Sequence, residues 1–202
     1  MKNNEELVKN SDLPDNALAK TDEELVFFVL ENRDFFLHIV NRYQIKLFNY
    51  VKRISNFRDE EIEDILQDIF VKVYRNLNSF DHELKFSSWI YRIAHNAVID
   101  HFRKNKNYLD NVSIEMEDNA ASSLADDFDI RKDIDNQLLR KKINKALDKL
   151  DYKYKEVLIL KYLEEKDYQE ISDIIKKPVG TVASRMNRAK KEFKEMLKFI
   201  DN

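Results

Sequence analysis

The sequence predicts an all-α protein: two small helical domains joined by an acidic flexible linker. Three observations carry that reading. Glycine occurs once and proline twice in 202 residues, which starves the tight turns that hairpins, sandwiches and Rossmann crossovers need. Charged residues make up 36% of the chain, a composition suited to amphipathic helices with one solvated face. Apolar residues recur at helical spacing in two blocks, and the stretch between them, from Lys104 to about Asp129, is rich in Asn, Ser and Asp and keeps no period. On this reading residues 1–20 are a disordered N-terminus, 21–104 the first domain, 105–132 the linker and 133–202 the second domain.

The first helix begins at Thr21, whose partner Glu24 completes a capping box, each side chain taking one backbone N–H that a helix start leaves unpaired. Leu25, Phe28, Val29, Phe35, Phe36, Ile39, Val40, Leu47 and Val51 then keep helical spacing, with a break at Asn32–Asp34. A second helix over Glu60–Leu77 buries Ile62, Ile65, Leu66, Ile69, Phe70, Val73 and Leu77 as one stripe and leaves Asp64, Gln67 and Asp68 on the opposite face. A third, from about Ser87 to Arg103, buries Ile90, Ile93, Ala94, Ala97 and Val98 and turns Arg92, His95, Asn96, Ile99 and Arg103 to another face. Residues 76–88 form the loop between these two helices. Trp89 stands beside the buried stripe and reads as a core anchor.

Beyond the linker, helices are expected near Asp133–Leu150 and Lys153–Leu163. Asp167 and Glu170 form a second capping box, opening a short helix from Tyr168 to about Lys176 with Ile171, Ile174 and Ile175 on one side. The chain turns in Lys177-Pro178-Val179-Gly180-Thr181, and a last helix from Thr181 to about Phe199 buries Val182, Met186, Ala189, Phe193, Met196 and Leu197.

The formal charge of −3 conceals an asymmetry. Asp110–Asp135 holds nine acids against two bases, net −7, whereas Lys176–Lys198 holds eight bases against two acids, net +6. The basic end coincides with two helices joined by a tight turn, a helix-turn-helix. Its second helix exposes Ala183, Ser184, Arg185, Asn187, Arg188 and Lys191: short polar groups near the N-terminal end, with cations behind them. Major-groove reading asks for this order, since the first turns approach base edges while the flanking cations hold phosphates. Basic groups on a helix are by default a solvated face, but glycine and proline placed together, in a chain nearly lacking both, mark a built turn.

Other function classes find no support. There is no cysteine, so disulfides, thiol catalysis and thiolate metal sites are excluded. His38, His82, His95 and His101 are preceded at three residues by Phe35, Ser79, Arg92 and Val98, so the Glu-x-x-His pairs of a helical carboxylate metal centre are missing. The sole glycine leaves no phosphate-cradling loop. No catalytic residue, metal ligand or cofactor is expected. The polar start and the lack of any long apolar run predict neither a secretion signal nor a membrane span, and hence a cytoplasmic protein.

The residues at this point resemble a known family. Asp167-Tyr168-Gln169-Glu170-Ile171, Pro178-Val179-Gly180-Thr181-Val182 and Ser184-Arg185-Met186-Asn187-Arg188-Ala189-Lys190 resemble region 4 of bacterial sigma factors. Glu63-Asp64-Ile65-Leu66-Gln67-Asp68-Ile69-Phe70 resembles sigma region 2.2, and Phe86 through Arg103 resembles regions 2.3 and 2.4. Both motifs in this order, in a chain of this size, resemble the extracytoplasmic-function (ECF) type of the sigma-70 class. The resemblance implies a non-enzymatic factor that binds core RNA polymerase, brings it to a promoter and helps to open the duplex.

It further implies that Asp64, Gln67 and Asp68 meet the clamp of the largest polymerase subunit, with the flap of the second subunit as a further partner. Asn78, Ser79, Phe80 and Lys85 in the loop, with Arg92, Asn96 and Arg103 on the helix, become candidates for the minus-10 element as single strand. Thr181, Ser184, Arg185, Asn187, Arg188 and Lys191 become candidates for the minus-35 duplex. The linker is expected to run through polymerase channels, and the family admits an anti-sigma factor as partner.

Two positions depart from the family pattern. Lys176 stands where Gly is frequent, and a positive φ there carries roughly 1 kcal/mol of strain; Ala183 stands where Lys or Arg is frequent, which removes one groove contact. The competing reading is an autonomous helix-turn-helix regulator that binds operator DNA without polymerase, which needs no second DNA surface in residues 60–104. A helical adaptor that binds only protein is the third.

Overall fold

A computed structural model describes residues 20–104 and 137–201. The expectations for residues 1–19, for the linker and for the start of the helix near Asp133 lie outside the described residues. The elements are α1 (Asp22–Glu31), α2 (Phe36–Ile54), α3 (Asp59–Asn76), α4 (Phe86–Lys104), α5 (Gln137–Asp148), α6 (Tyr152–Tyr162), α7 (Tyr168–Ile175) and α8 (Val179–Asp201).

Local chemistry sets most of the helix boundaries. Glu24 N–H donates to Thr21 Oγ1 at 3.2 Å and Thr21 N–H to Glu24 Oε2 at 2.8 Å, so the first capping box closes as the spacing predicts. Asn32 is extended and its side chain accepts from Asp34 N–H, which ends α1 and starts a single tight turn, Arg33–Phe35, before α2. Asp59, Glu60 and Glu61 fill the first turn of α3, where a helix favours negative charge. Asp167 and Glu170 cap each other's backbone N–H at 2.8 and 2.9 Å, opening α7.

The helix-turn-helix bend differs from the expectation in where its glycine stands. The left-handed residue is Lys176, at φ 53° and ψ 47°, which closes α7. Gly180 has no positive φ and lies inside α8, which starts at Val179 because Pro178 O accepts from Thr181 and Val182 N–H at 2.8 and 3.1 Å. The proline and its carbonyl start the helix, and the glycine marks the neighbourhood of the bend without making it.

Apolar stripes account for the packing. In the first domain α2 packs on α3, α3 on α4, and α1 lies across α2. Tyr50, Phe86, Ile39, Leu47, Ile62, Ile69 and Ile90 are fully buried there. In the second, α6 and α7 flank α8, and α5 lies along α8, around Val157, Leu158, Ile174, Val182, Met186, Ala189 and Phe193. The two domains dock, α4 against α7 and α2 against α6.

Candidate polymerase and nucleic-acid interface

Asp64, Gln67 and Asp68 are exposed on α3, opposite buried Ile62, Ile65, Ile69 and Val73. Helical spacing carries the same face on to Val71 and Tyr74, 46% and 41% exposed. These two were missed in the sequence; an apolar residue standing off the buried stripe, three positions past Asp68, is the signal that could have found Val71. The strip is thus acidic at one end and apolar at the other. Tyr74 is held by the Phe36 ring at 5.1 Å and the Arg33 guanidinium at 5.0 Å.

The loop between α3 and α4 places its residues unequally. Asn78 and Ser79 are exposed in the turn Leu77–Ser79, and Arg33 Nη2 donates to Asn78 Oδ1 at 2.7 Å. Phe80, however, is only 4% exposed, with ring centroids 5.4 Å from Trp89, 5.5 Å from Phe86 and 5.1 Å from His82. This corrects its place among the base contacts: three aromatic neighbours make it a core group that anchors the loop. Trp89 is buried in the same cluster, as its spacing predicts. Lys85 is exposed and pairs with Glu170 at 3.3 Å and Asp167 at 3.9 Å. On α4, Asn96 and Arg103 are exposed and Arg92 is half-buried, at spacings that put them on one side of the helix.

On α8, Thr181, Ser184, Arg185, Asn187 and Arg188 are half-buried and Lys191 is exposed. Ser184 Oγ donates to Thr181 O at 2.9 Å. Val182, Met186, Ala189 and Phe193 face the core, so the polar side is the outward side of the second domain.

His95 does not stand on a solvated face. Its side chain is 15% exposed, and Nδ1 lies 2.6 Å from Glu156 Oε1 on α6. Tyr50 and Tyr152 hydroxyls donate to the same oxygen at 2.7 and 3.0 Å. Burial would lower the His95 pKa, but the Glu156 charge and hydrogen bond outweigh it and raise it, against an opposing push from Arg185. Burial would raise the Glu156 pKa, but His95, Tyr50 and Tyr152 together hold it down. Nearby, Glu164 takes Arg53 at 3.1 Å and the Tyr91 hydroxyl, and Lys166 sits 4.9 Å over the Tyr91 ring. Among the described residues no group of three or more His, Asp or Glu could hold a metal ion, and no helix is long and apolar enough to cross a membrane.

Fold and surface define a class: a two-domain helical protein with an exposed acidic-to-apolar strip on α3 and a basic helix-turn-helix. The family model for sigma-70 region 2 matches residues 39–108, and that for sigma-70 region 4 matches residues 140–193. The ECF RNA polymerase sigma factor SigW of Bacillus subtilis is 34% identical over 176 residues, 83% of this chain and 91% of that protein. The ECF RNA polymerase sigma-E factor of Haemophilus influenzae is 32% identical over 181 residues, 84% of this chain and 92% of that one. Two solved structures share the fold. One is CnrH in complex with the cytosolic domain of CnrY, with a TM-score of 0.63 and 21% identity over 89% of this chain and 98% of the other. The other is the sigma factor RpoE in complex with the anti-sigma factor NepR from Bartonella quintana, with a TM-score of 0.60 and 23% identity over 81% and 96%. The chain belongs to the ECF sigma factors of the sigma-70 family.

Proposed function

We propose that three surfaces divide the work of this sigma factor, which binds core RNA polymerase and directs promoter-specific transcription initiation. The α3 strip, Asp64, Gln67 and Asp68 extended by Val71 and Tyr74, holds the polymerase clamp through charge-assisted bonds flanked by apolar contact. Asn78, Ser79 and Lys85, with Arg92, Asn96 and Arg103 on α4, take hold of the melted minus-10 strand, cations on the backbone and amides on bases. Phe80 supports that loop from the core. Thr181, Ser184, Arg185, Asn187, Arg188 and Lys191 read the minus-35 duplex, with the N-terminal turns of α8 toward base edges. The domains are residues 21–104 and 133–202, working in the cytoplasm on polymerase and promoter, with an anti-sigma factor as a further partner.

The observation that carries the reading is the exposed acidic-to-apolar strip of α3 on the same chain as a basic helix-turn-helix, which suits a polymerase subunit better than a solitary operator binder. The match to region 2 as well as region 4 likewise disfavours an autonomous regulator. Core-polymerase capture followed by in vitro transcription tests it. Asp64→Lys with Asp68→Lys is expected to weaken core binding about tenfold or more, because like charges then face the clamp, with far-UV circular dichroism unchanged. Arg185→Ala with Arg188→Ala is expected to leave core binding intact and to cost about 1–3 kcal/mol of promoter preference for each base-reading arginine. Unaltered core affinity in the first variant, and unaltered promoter choice in the second, would sink the assignment.

A further inference from the structure

A cavity of about 490 Å³ lies between α1, α2 and α4 of the first domain and the turn that joins α6 to α7. The carboxylates of Asp22 and Glu164 on its wall are already engaged. Asp22 takes Arg42 Nη1 at 2.9 Å and the Tyr43 hydroxyl, and Glu164 takes Arg53 Nη1 at 3.1 Å and the Tyr91 hydroxyl. Glu165, exposed, also lines the cavity.

Four donors on the same wall are not engaged. Lys166 is 9% exposed, yet among the described residues its ammonium has no ion pair and no hydrogen bond; it rests 4.9 Å over the Tyr91 ring. Lys46 likewise has only the Tyr43 ring, at 5.5 Å, and the Asn49 amide and Ser87 hydroxyl have no partner among the described residues. Local backbone carries Lys166 to this place. Glu165 is left-handed at φ 57°, and Lys166 N–H donates to Leu160 O at 2.9 Å, which closes α6 and turns the chain back toward α4.

A cation so buried loses its water, and a ring face returns only part of that loss. Burial accordingly pushes the Lys166 ammonium below its usual 10.5, and the Lys46 charge pushes the same way, while Glu170, Glu164 and Asp22 oppose it from beyond ion-pair distance. Two ammonium groups that feel each other, with a hydroxyl and an amide beside them, are completed by an oxyanion within reach of both. Ser87 adds to this from the first turn of α4, where the helix dipole favours negative charge.

Volume decides the kind of anion. One water takes about 30 Å³, so 490 Å³ exceeds what a free inorganic ion fills and falls among small-metabolite sites of about 300–1,000 Å³. Apart from Leu163 and the rings of Tyr43 and Tyr91, the described wall is polar, which suits a hydroxylated body better than an acyl chain. We propose that the cavity binds a small phosphorylated metabolite of the sugar-phosphate class, its phosphate held by Lys166 and Lys46 and by donation from Ser87 and Asn49. None of these four residues belongs to the surfaces assigned to polymerase or promoter. Both domains supply the wall, so an occupied cavity stabilises the folded chain by mass action.

Isothermal titration calorimetry on the full chain tests this, with ribose 5-phosphate and inorganic phosphate as probes. Ribose 5-phosphate is expected to bind at least about tenfold more tightly than inorganic phosphate and to raise the urea midpoint of the wild type. Lys166→Met keeps the side-chain length and removes the unpaired charge; it is expected to fold at least as stably as wild type and to weaken ribose 5-phosphate about tenfold or more. Lys46→Met and Ser87→Ala should each weaken it by less, about three- to tenfold, and they carry the test if Lys166→Met folds poorly. Lys145→Met, exposed on α5 away from the cavity, should leave the affinity unchanged. Absence of both heat and midpoint shift with either probe would overturn the site and leave the cavity to water. Equal affinity for the two probes would overturn the metabolite class, and affinity unchanged in Lys166→Met, Lys46→Met and Ser87→Ala alike would overturn the location.

Discussion

Moving the chain's one glycine from residue 180 to residue 176 is expected to stabilise the helix-turn-helix, and the structure supplies both halves of the estimate. Lys176 sits at φ 53°, ψ 47° with its side chain exposed; a non-glycine residue held there carries about 1–2 kcal/mol. Lys176→Gly removes that strain but gives the unfolded chain more freedom, which takes back about 0.5–1 kcal/mol. The net expectation is a gain of about 0.5–1 kcal/mol. Gly180 is helical, and a Cβ built there meets no heavy atom within 4 Å. Gly180→Ala should therefore gain about 0.4–1 kcal/mol, through lost freedom in the unfolded state.

The two substitutions sit in one turn but share no side-chain partner, so the double variant should approach the sum, about 1–2 kcal/mol. Urea titration of the full chain, followed by far-UV circular dichroism, reads this as a rise in midpoint at unchanged slope. Thermal midpoints should rise by about 2–4 °C for each kcal/mol in a chain of this length. Gly180→Ala that destabilises by more than about 0.5 kcal/mol would refute the reasoning, as it would mean that the glycine is needed for backbone geometry or for a close approach. Destabilisation by Lys176→Gly would equally show that the left-handed residue is not strained.

Other surfaces give further expectations. Phe80→Ala should cost about 3–5 kcal/mol in urea unfolding because it empties a site between three rings; a stable variant impaired only in strand opening would restore Phe80 to the base contacts. Val71→Asp should weaken core-polymerase binding about tenfold, as loss of a central apolar contact does, while urea unfolding stays unchanged; equal affinity would end the strip at Asp68. The docked state should also depend on pH, with His95 and Glu156 facing Tyr50 on α2, Tyr152 on α6 and Arg185 on α8. His95 is raised above its ordinary 6.5, so its contribution is whole below pH 6.5 and is lost as pH rises through the raised value. Glu156 is lowered below its ordinary 4.5, so its contribution is whole above pH 4.5 and is lost as pH falls through the lowered value. Docking should therefore be strongest between pH 4.5 and 6.5, and interdomain distances should lengthen as pH rises above 6.5 through the raised His95 value; shortening on that rise would contradict the sign.

What the sequence by itself determined was everything set by neighbours along the chain. Both capping boxes, the break at Asn32, the stripe of Ile62, Ile65, Ile69 and Val73, the acidic face opposite it, and the capped α7 ahead of a basic helix all depend on residues within a turn or two of each other. Capping and helical period are local, so they are written in spacing. Only the tertiary structure decided which polar and aromatic groups face water. Phe80 reads as a loop aromatic until Phe86 and Trp89 close over it. His95 reads as an outward residue until Glu156, 61 positions away, arrives beside it, and Tyr50 finds that same carboxylate across 106 positions. No period along the chain encodes such pairings, because they depend on how two separately formed cores dock, and a side chain's burial is set by that docking rather than by its own helix.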